Sequence, residues 1–291
     1  MTPRRGAEGA WGERVPPKIG GIPGGRPPGG STDDTLAREL AIEAGRRLLE
    51  LRAAGGEPDL LRKAGDRLSH EFLTAELAVR RPGDVVLSEE GADDPARLAA
   101  GRVWIVDPLD GTSEFGEPGR TDWAVHVALW EAAAAGLTTG GLTTGGLTAG
   151  AVALPAQAKI LSTAAPAGPP ADGEGNGPVR IVVSRSRAPR LVYGISNLIG
   201  ADLVPLGSAG AKVAAVVYGD ADAYVHAGGF YEWDTAAPVA VARAAGFHAS
   251  RIDGSPLAYN QPDLMMPDIL VCRPALAGAL LQAIREVTNA P

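Results

Sequence analysis

Trp104-Ile105-Val106-Asp107-Pro108-Leu109-Asp110-Gly111-Thr112 constrains the fold of this chain more than any other stretch. Its apolar run predicts a buried strand over 103–107, closed by two carboxylates three positions apart. Pro108 removes a backbone donor and stiffens the turn, leaving the Leu109 carbonyl to face the same site. Gly111 permits close approach, and Thr112 adds a hydroxyl at once. A carboxylate at the end of a buried strand needs either solvent or a cation. Taken alone, Asp107 and Asp110 also fit an ordinary turn. Glu89-Glu90 follows another short apolar run, Val85-Val86-Leu87, and alone fits two solvated charges. Trp233-Asp234 stands before an Ala-rich helical stretch, where the aspartate alone fits a helix N-cap. Together these acids at the ends of separate buried elements suit hard divalent cations, because Mg2+ takes oxygen ligands and keeps water and phosphate in its shell. Four convergent carboxylates can hold two or more such ions, enough for metal-assisted phosphate hydrolysis.

The rest of the chain predicts what carries these acids. Residues 1–31 are rich in Gly, Pro and Arg, with too few apolar side chains to offset ordering entropy, and predict a disordered tail. Thr32 or Asp33 can cap a helix through Leu36, Leu40, Ala44, Leu48 and Leu51, stopped by Gly55-Gly56. A second helical pattern (Leu61, Ala64, Leu68, Phe72, Ala75, Val79) leads to a turn at Arg81-Pro82-Gly83. Strands follow at 85–88 and 103–107, and the alternation over 123–130 predicts another. Three copies of a five-residue Gly-Leu-Thr repeat (136–150) are too short for a solenoid and predict an expanded hairpin tip. A Pro/Gly-rich link at about 165–178 separates an α+β half (32–177) from a second half (178–291). There, strands at 179–184, 201–206, 221–226 and 268–272 alternate with helices at 208–218, 235–245 and the C-terminus, which argues for α/β.

Composition narrows the function. With 291 residues and 45% hydrophobic content the chain can bury a sizeable core. A formal net charge of -7 disfavours a nucleic-acid polymer as partner, and no apolar run is long enough to span a membrane. Arg4-Arg5 is not followed by an apolar core, so a secretion signal is not expected and the cytoplasm is. The single cysteine, Cys272, predicts a small core residue. His70, His126, His226 and His248 show no ligand spacing and predict structural roles. Lys212 does not belong to a phosphate-binding Gly-rich loop, because no Gly precedes it and no Ser or Thr follows it.

Ser88-Glu89-Glu90, Asp107-Pro108-Leu109-Asp110-Gly111-Thr112 and Trp233-Asp234, in this order, resemble the signatures of the lithium-sensitive inositol monophosphatase superfamily. Gly111–Phe115, Val183-Ser184-Arg185-Ser186, 231–238 and 253–260 look most like its CysQ-type, nucleotide-hydrolysing branch. The resemblance covers residues from about 33 to the C-terminus. It implies a layered α-β-α-β-α sandwich with the site between the halves, and two or three Mg2+ ions. Glu89, Asp107 and the Leu109 carbonyl would bind one ion; Asp107, Asp110 and Asp234 would bind a second. Glu89 and Thr112 would position and activate water. Asp66 stands at the spacing of a family aspartate that supports a third metal, but lacks the usual nearby threonine, so an exposed helical charge stays open. For substrate, the resemblance implies Gly111, Thr112, Ser113, Asp234 and the Gly207-Ser208-Ala209 turn, with Ser184 and Ser186 toward a nucleotide. The helix after that turn also offers free amides to a phosphate or sugar hydroxyl. The implied activity is removal of the 3'-phosphate from a 3'(2'),5'-bisphosphate nucleotide in sulfur assimilation. Inositol monophosphate and fructose 1,6-bisphosphate are alternative small substrates, a non-catalytic cation- or nucleotide-binding regulator is a remote one, and a homodimer stays open.

Overall fold

A computed structural model describes residues 32–133, 138–139, 142–143, 145–168 and 177–289. The tail expected over 1–31, residues 169–176 of the link and much of the first two repeat copies lie outside them. In chain order the elements are α1 (Asp33–Ala54), α2 (Pro58–Arg80), β1 (Val85–Ser88), β2 (Arg102–Asp110), α3 (Thr112–Gly116), β3 (Ala124–Ala132), β4 (Thr138–Thr139), β5 (Leu142–Thr143), β6 (Gly145–Leu154) and β7 (Lys159–Ser162). There follow β8 (Arg180–Ser184), α4 (Arg190–Ile199), β9 (Asp202–Leu206), α5 (Ala209–Val217), β10 (Ala223–Tyr231), α6 (Glu232–Ala244), β11 (His248–Ser250), β12 (Met265–Cys272) and α7 (Pro274–Asn289).

Local chemistry sets the first helices. Thr32 caps α1 by accepting from Thr35 N at 3.0 Å, and Asp33 and Asp34 favour its positive end. Gly55, at φ 75°, ends it. Helix α2 forms as expected, but its buried row is Leu61, Gly65, Ser69, Leu73 and Leu77, not the row through Ala64, Leu68 and Val79. Val79 is 79% exposed. The sequence pattern misleads because the face is chosen by close approach: a Cβ on Gly65 would stand 2.8 Å from Phe115 and 2.9 Å from Leu109. A glycine and a serine mark this contact, and neither carries a hydrophobic signal.

Two mixed five-stranded sheets follow, ordered β1-β2-β3-β6-β7 and β11-β12-β10-β8-β9. In the first, β1 and β2 are parallel and the remaining neighbours antiparallel. In the second, β10, β8 and β9 run parallel while β12 and β11 are antiparallel. The alternation read over 123–130 is not an in-and-out pattern, since β3 is buried on both faces from Ala124 to Trp130. The third repeat copy is no hairpin tip: it lies within β6, paired with β3 from Trp130↔Leu147 to Ala128↔Gly150. Thr138–Thr139 and Leu142–Thr143 pair with each other instead. Strands β7 and β11 carried too few residues for the sequence pattern to reveal.

Packing stacks the elements in five layers, the α-β-α-β-α order expected. One core joins α1 and α2 to one face of the first sheet through Leu36, Leu40, Leu73, Trp104, Val106 and Val127. A second fills the middle, where Val213 of α5 and Val239 and Val241 of α6 meet Val103 and Ile105 on one side and Tyr224 and Ile269 on the other. A third packs Val192, Ile195, Leu280 and Ile284 of α4 and α7 against Val225 and Leu270. Cys272 is buried in that third core, as its apolar neighbours suggested. Among the described residues no helix is long and apolar enough to cross a membrane.

The middle layer is tight where α6 crosses β6. A Cβ on Gly150 would meet the Ala240 Cβ at 2.6 Å. Gly150→Ala should therefore cost about 1–3 kcal/mol of stability by overpacking, read as a lower midpoint in denaturant unfolding. An unchanged midpoint would mean that this contact relaxes freely.

Candidate active site

Strand β2 does not stop at Asp107 as expected but continues to Asp110 through a bulge. Asp107 pairs with His126 and Asp110 with Ala124, so three steps on β2 match two on β3. In a regular strand, residues three apart point to opposite faces. The extra residue, beside Pro108, breaks that alternation and brings both carboxylates to one site. Asp107 Oδ1 accepts from Leu109 N at 3.0 Å, which fixes the side chain across the bulge. Its Oδ2 is buried without a hydrogen-bond partner. One ligand oxygen each from Asp107, Asp110 and Asp234 lies within 4.8 Å of the others.

Helix N-termini supply the remaining walls. Asp234 is the third residue of α6, not the residue before it, because that helix begins at Glu232 and runs through Pro238. Its Oδ2 accepts from Tyr231 N at 2.6 Å. At α5, Ser208 Oγ and Gly210 N donate to Asp110 Oδ2, at 2.5 and 2.7 Å. Gly207 N donates to Asp122 Oδ2 at 2.6 Å. The Gly207-Ser208-Ala209 turn therefore already serves two carboxylates with donors that the sequence left free for an anion. Ser208 holds φ 39°, an uncommon angle for a residue with a Cβ. Gly111, at φ 87°, faces it: a Cβ there would lie 3.2 Å from both Ser208 Cβ and Trp123 Cα.

Glu89 N donates to Val106 O at 3.3 Å, which anchors the end of β1 beside the Asp107 strand. Thr112 Oγ1 is 3.0 Å from the Leu109 carbonyl, which is thus not left bare, and 3.3 Å from Asp66 Oδ1. Asp66 is therefore at the site and not on an outer helical face, carried there by the close approach of α2 at Gly65. Ser113 and Ser186 are exposed, and Ser184 accepts from Arg187 N at 3.2 Å. No hydrogen bond joins these three serines to the acidic cluster.

Crowding of like charges dominates the electrostatics. Burial, then Asp234, pushes the Glu89 carboxyl up to about 7. Burial, then Asp110, pushes Asp234 up to about 6, and burial, then Glu90, does the same to Asp66. Asp107 is driven well above the usual carboxylate range by burial, then by Glu89 and Asp110. Asp110 goes the other way. Burial would raise it, but His126, Lys212 and the Ser208 hydroxyl outweigh that and hold it at about 2. One carboxylate held as an anion thus sits among carboxyls whose proton affinity is raised, a crowding that a bound cation would relieve.

Several residues here had no sequence signal. His126 Nε2 lies 3.1 Å from Asp110 Oδ2, and its Nδ1 is 3.2 Å from the Trp233 carbonyl. The other three histidines each have another partner: His70 bonds Ser88, His226 bonds the Gly228 carbonyl and His248 bonds Ser250. Lys212 is buried, donating Nζ to the carbonyls of Gly207 and Ser208 at 2.8 and 2.7 Å, and burial lowers it to about 8. Asp122 gathers Arg120, Arg185 and Gly207 N, and so links the loop after α3, the loop after β8 and the start of α5. Only the pairing of β3 with the bulged β2 would have revealed His126, and only the fold would have revealed Asp122.

The donor set fits a hard cation. It consists of carboxylate oxygens, one of them buried and unpartnered, with a backbone carbonyl beside them. Known proteins bear on the same region. The family described as the inositol monophosphatase family matches residues 34–289. A Mycobacterium leprae protein named 3'-phosphoadenosine 5'-phosphate phosphatase is 52% identical over 260 residues, covering 88% of this chain and 94% of its own length. A Mycobacterium bovis protein of the same name is 50% identical over 253 residues, covering 84% and 90%. The crystal structure of CysQ from Bacteroides thetaiotaomicron matches with a TM-score of 0.68 at 26% identity, over 83% of this chain and 97% of that one.

Proposed function

We propose that this chain, which belongs to the inositol monophosphatase family and is a metal-dependent phosphatase, hydrolyses the 3'-phosphate of 3'-phosphoadenosine 5'-phosphate with Mg2+. The observation that carries the chemistry is the cluster of Asp107, Asp110 and Asp234, the first two buried, with Asp107 Oδ2 unpartnered. The substrate is supported by the name of relatives 50–52% identical to this chain.

Glu89, Asp107 and the Leu109 carbonyl would hold one Mg2+, and Asp107, Asp110 and Asp234 a second; Asp66 would support a third. When bound, Mg2+ supplies Lewis-acid polarisation of the phosphoryl group and lowers the pKa of water. Glu89, anchored at the end of β1 beside the Asp107 strand, would accept a proton from the attacking water. Thr112 orients that water: its hydroxyl proton goes to Asp66 or to the Leu109 carbonyl, which leaves an oxygen lone pair to accept from water. Ser208, Gly210 and His126 fix the second carboxylate, so that Asp110 stays anionic throughout the cycle. Gly111 and the Gly207–Ala209 turn border the space for the phosphoryl group and sugar, and Ser113, Ser184 and Ser186 line the approach. The substrate is a small cytoplasmic metabolite.

Parallel assays of 3'-phosphoadenosine 5'-phosphate, inositol 1-phosphate and fructose 1,6-bisphosphate test the substrate. The nucleotide should lead in kcat/KM by at least about tenfold, ~1.4 kcal/mol of transition-state discrimination. A sugar or inositol phosphate as the best substrate would reverse the assignment.

A further inference from the structure

An exposed aromatic pair stands beside the acidic cluster. Tyr231 ends β10 and is 44% exposed. Its ring stacks on Trp233 with centroids 4.9 Å apart and planes 13° from parallel. Met265, its cross-strand partner in β12, is 54% exposed, so a planar apolar surface opens at the end of that ladder. The backbone ties this surface to the site at three points. Tyr231 N donates to Asp234 Oδ2 at 2.6 Å, the Trp233 carbonyl meets His126 Nδ1 at 3.2 Å, and Asp234 follows Trp233 directly.

The pair is held rigidly. Glu232 lies between the two aromatics and is fully buried, accepting from Asn260 N and Gln261 N at 2.7 Å each. Arg97 in turn donates to the Asn260 side chain at 2.9 Å and to the Gln261 carbonyl at 2.8 Å. Before Tyr231, Gly228 and Gly229 adopt φ 88° and 73° at a second bulge, where Ala227 pairs with Asp268 but Phe230 with Met266. This extra residue leaves Phe230 buried and Tyr231 exposed. Among the described residues nothing stands within 4 Å of where a Cβ on either glycine would lie.

We propose that Tyr231, backed by Trp233 and flanked by Met265, is the platform on which the substrate's base stacks, and hence a determinant of nucleotide over inositol phosphate. Aromatic rings present a π-face to any base, whereas a polyol has none to offer in return. The proposal rests on the nucleotide reading above. Its occupant is a purine or other planar base on a nucleotide whose 3'-phosphate would be held through the cation at Asp107, Asp110 and Asp234, because the platform adjoins Asp234.

The test compares wild type, Tyr231→Ala and Tyr231→Phe, with Mg2+, on 3'-phosphoadenosine 5'-phosphate and on inositol 1-phosphate. For Tyr231→Ala, KM for the nucleotide should rise about tenfold, within the range for losing one base–aromatic stack, while kcat changes little. Tyr231→Phe should restore it, and KM for inositol 1-phosphate should stay within about twofold throughout, since a polyol gains nothing from stacking. Equal losses on both substrates would overturn the proposal, as would no loss on either. So would a dimer in the wild type that the Ala variant dissociates with its nucleotide KM unchanged, since a second copy would then be what covers the surface. A wild type that prefers inositol 1-phosphate sinks the substrate assignment itself, visible before any variant is made, and the platform with it.

Discussion

Asp107→Asn and Asp110→Asn proteins should each release phosphate at least about a thousandfold more slowly than wild type at millimolar Mg2+. Replacing a group one shell out from a metal typically costs about 10–100-fold, and these side chains are proposed as ligands themselves. Both substitutions preserve shape and remove a charge. They therefore separate the electrostatic role from packing. At Asp107 the change should also stabilise the metal-free protein, because it removes one of the carboxyls crowded against Glu89 and Asp110. At Asp110 it should not, because that carboxylate is held as an anion by His126, Ser208 and Gly210 N. Thr112→Ala supplies the contrast. It should bind Mg2+ normally in calorimetry yet lose about a hundredfold in turnover, since its hydroxyl lies against Asp66 and the Leu109 carbonyl. Turnover within tenfold of wild type in either aspartate variant would take the cluster out of the reaction.

The acidic residues proposed as ligands are legible in the sequence because their neighbours are chemically extreme. A buried strand that runs into Asp-Pro-Leu-Asp-Gly-Thr has few ordinary explanations, and Thr32 and Gly55 bracket α1 by local hydrogen bonding alone. What the sequence hid depends on pairing and close approach. Nothing local says that β2 runs on to Asp110, because the bulge exists only in register with β3. For the same reason His126 reads as one residue of an apolar alternation. Gly65 carries no apolar signal, yet it sets which face of α2 is buried and so brings Asp66 to Thr112. Asp122 and Arg185 are ordinary charges until β9 and α5 fold back over the first sheet, and then Asp122 holds Gly207 N. Tyr231 is the converse case. It sits in a segment that carried the family resemblance, yet only its stack on Trp233 and its exposure suggest a use for it.

The metal-free protein should lose stability as pH rises from about 5 to 7.5, and Mg2+ should reverse that loss. Folding raises Glu89 and Glu232 to about 7, Asp66 and Asp234 to about 6, and Asp107 well above its ordinary range, burial being the leading cause in each. A carboxyl raised in the folded state binds its proton more tightly there than in the unfolded chain. Its contribution is complete below the ordinary carboxylate range and is lost as pH climbs through the folded value. His226, lowered to about 4 by burial and Lys212, works in the opposite direction over part of this window, as does His248. Asp110, at about 2, titrates below it. Six raised carboxyls, Glu114 among them, against two lowered histidines leave a net decline. A tenfold difference in proton affinity between the folded and unfolded chain is worth about 1.4 kcal/mol, so the decline should show as a Tm lower by several degrees. Mg2+ binds the deprotonated cluster, so its stabilisation should grow with pH. At a hundred times Kd it adds about 2.7 kcal/mol at pH 7.5, which opposes the decline. Glu89→Gln should flatten the metal-free slope, because it removes one of the raised groups. Thermal melts in chelator and in Mg2+ across that pH range decide the matter. A Tm in chelator that is flat or rising with pH, or an Mg2+ effect as large at pH 5 as at pH 7.5, would mean that these carboxyls do not share one buried site.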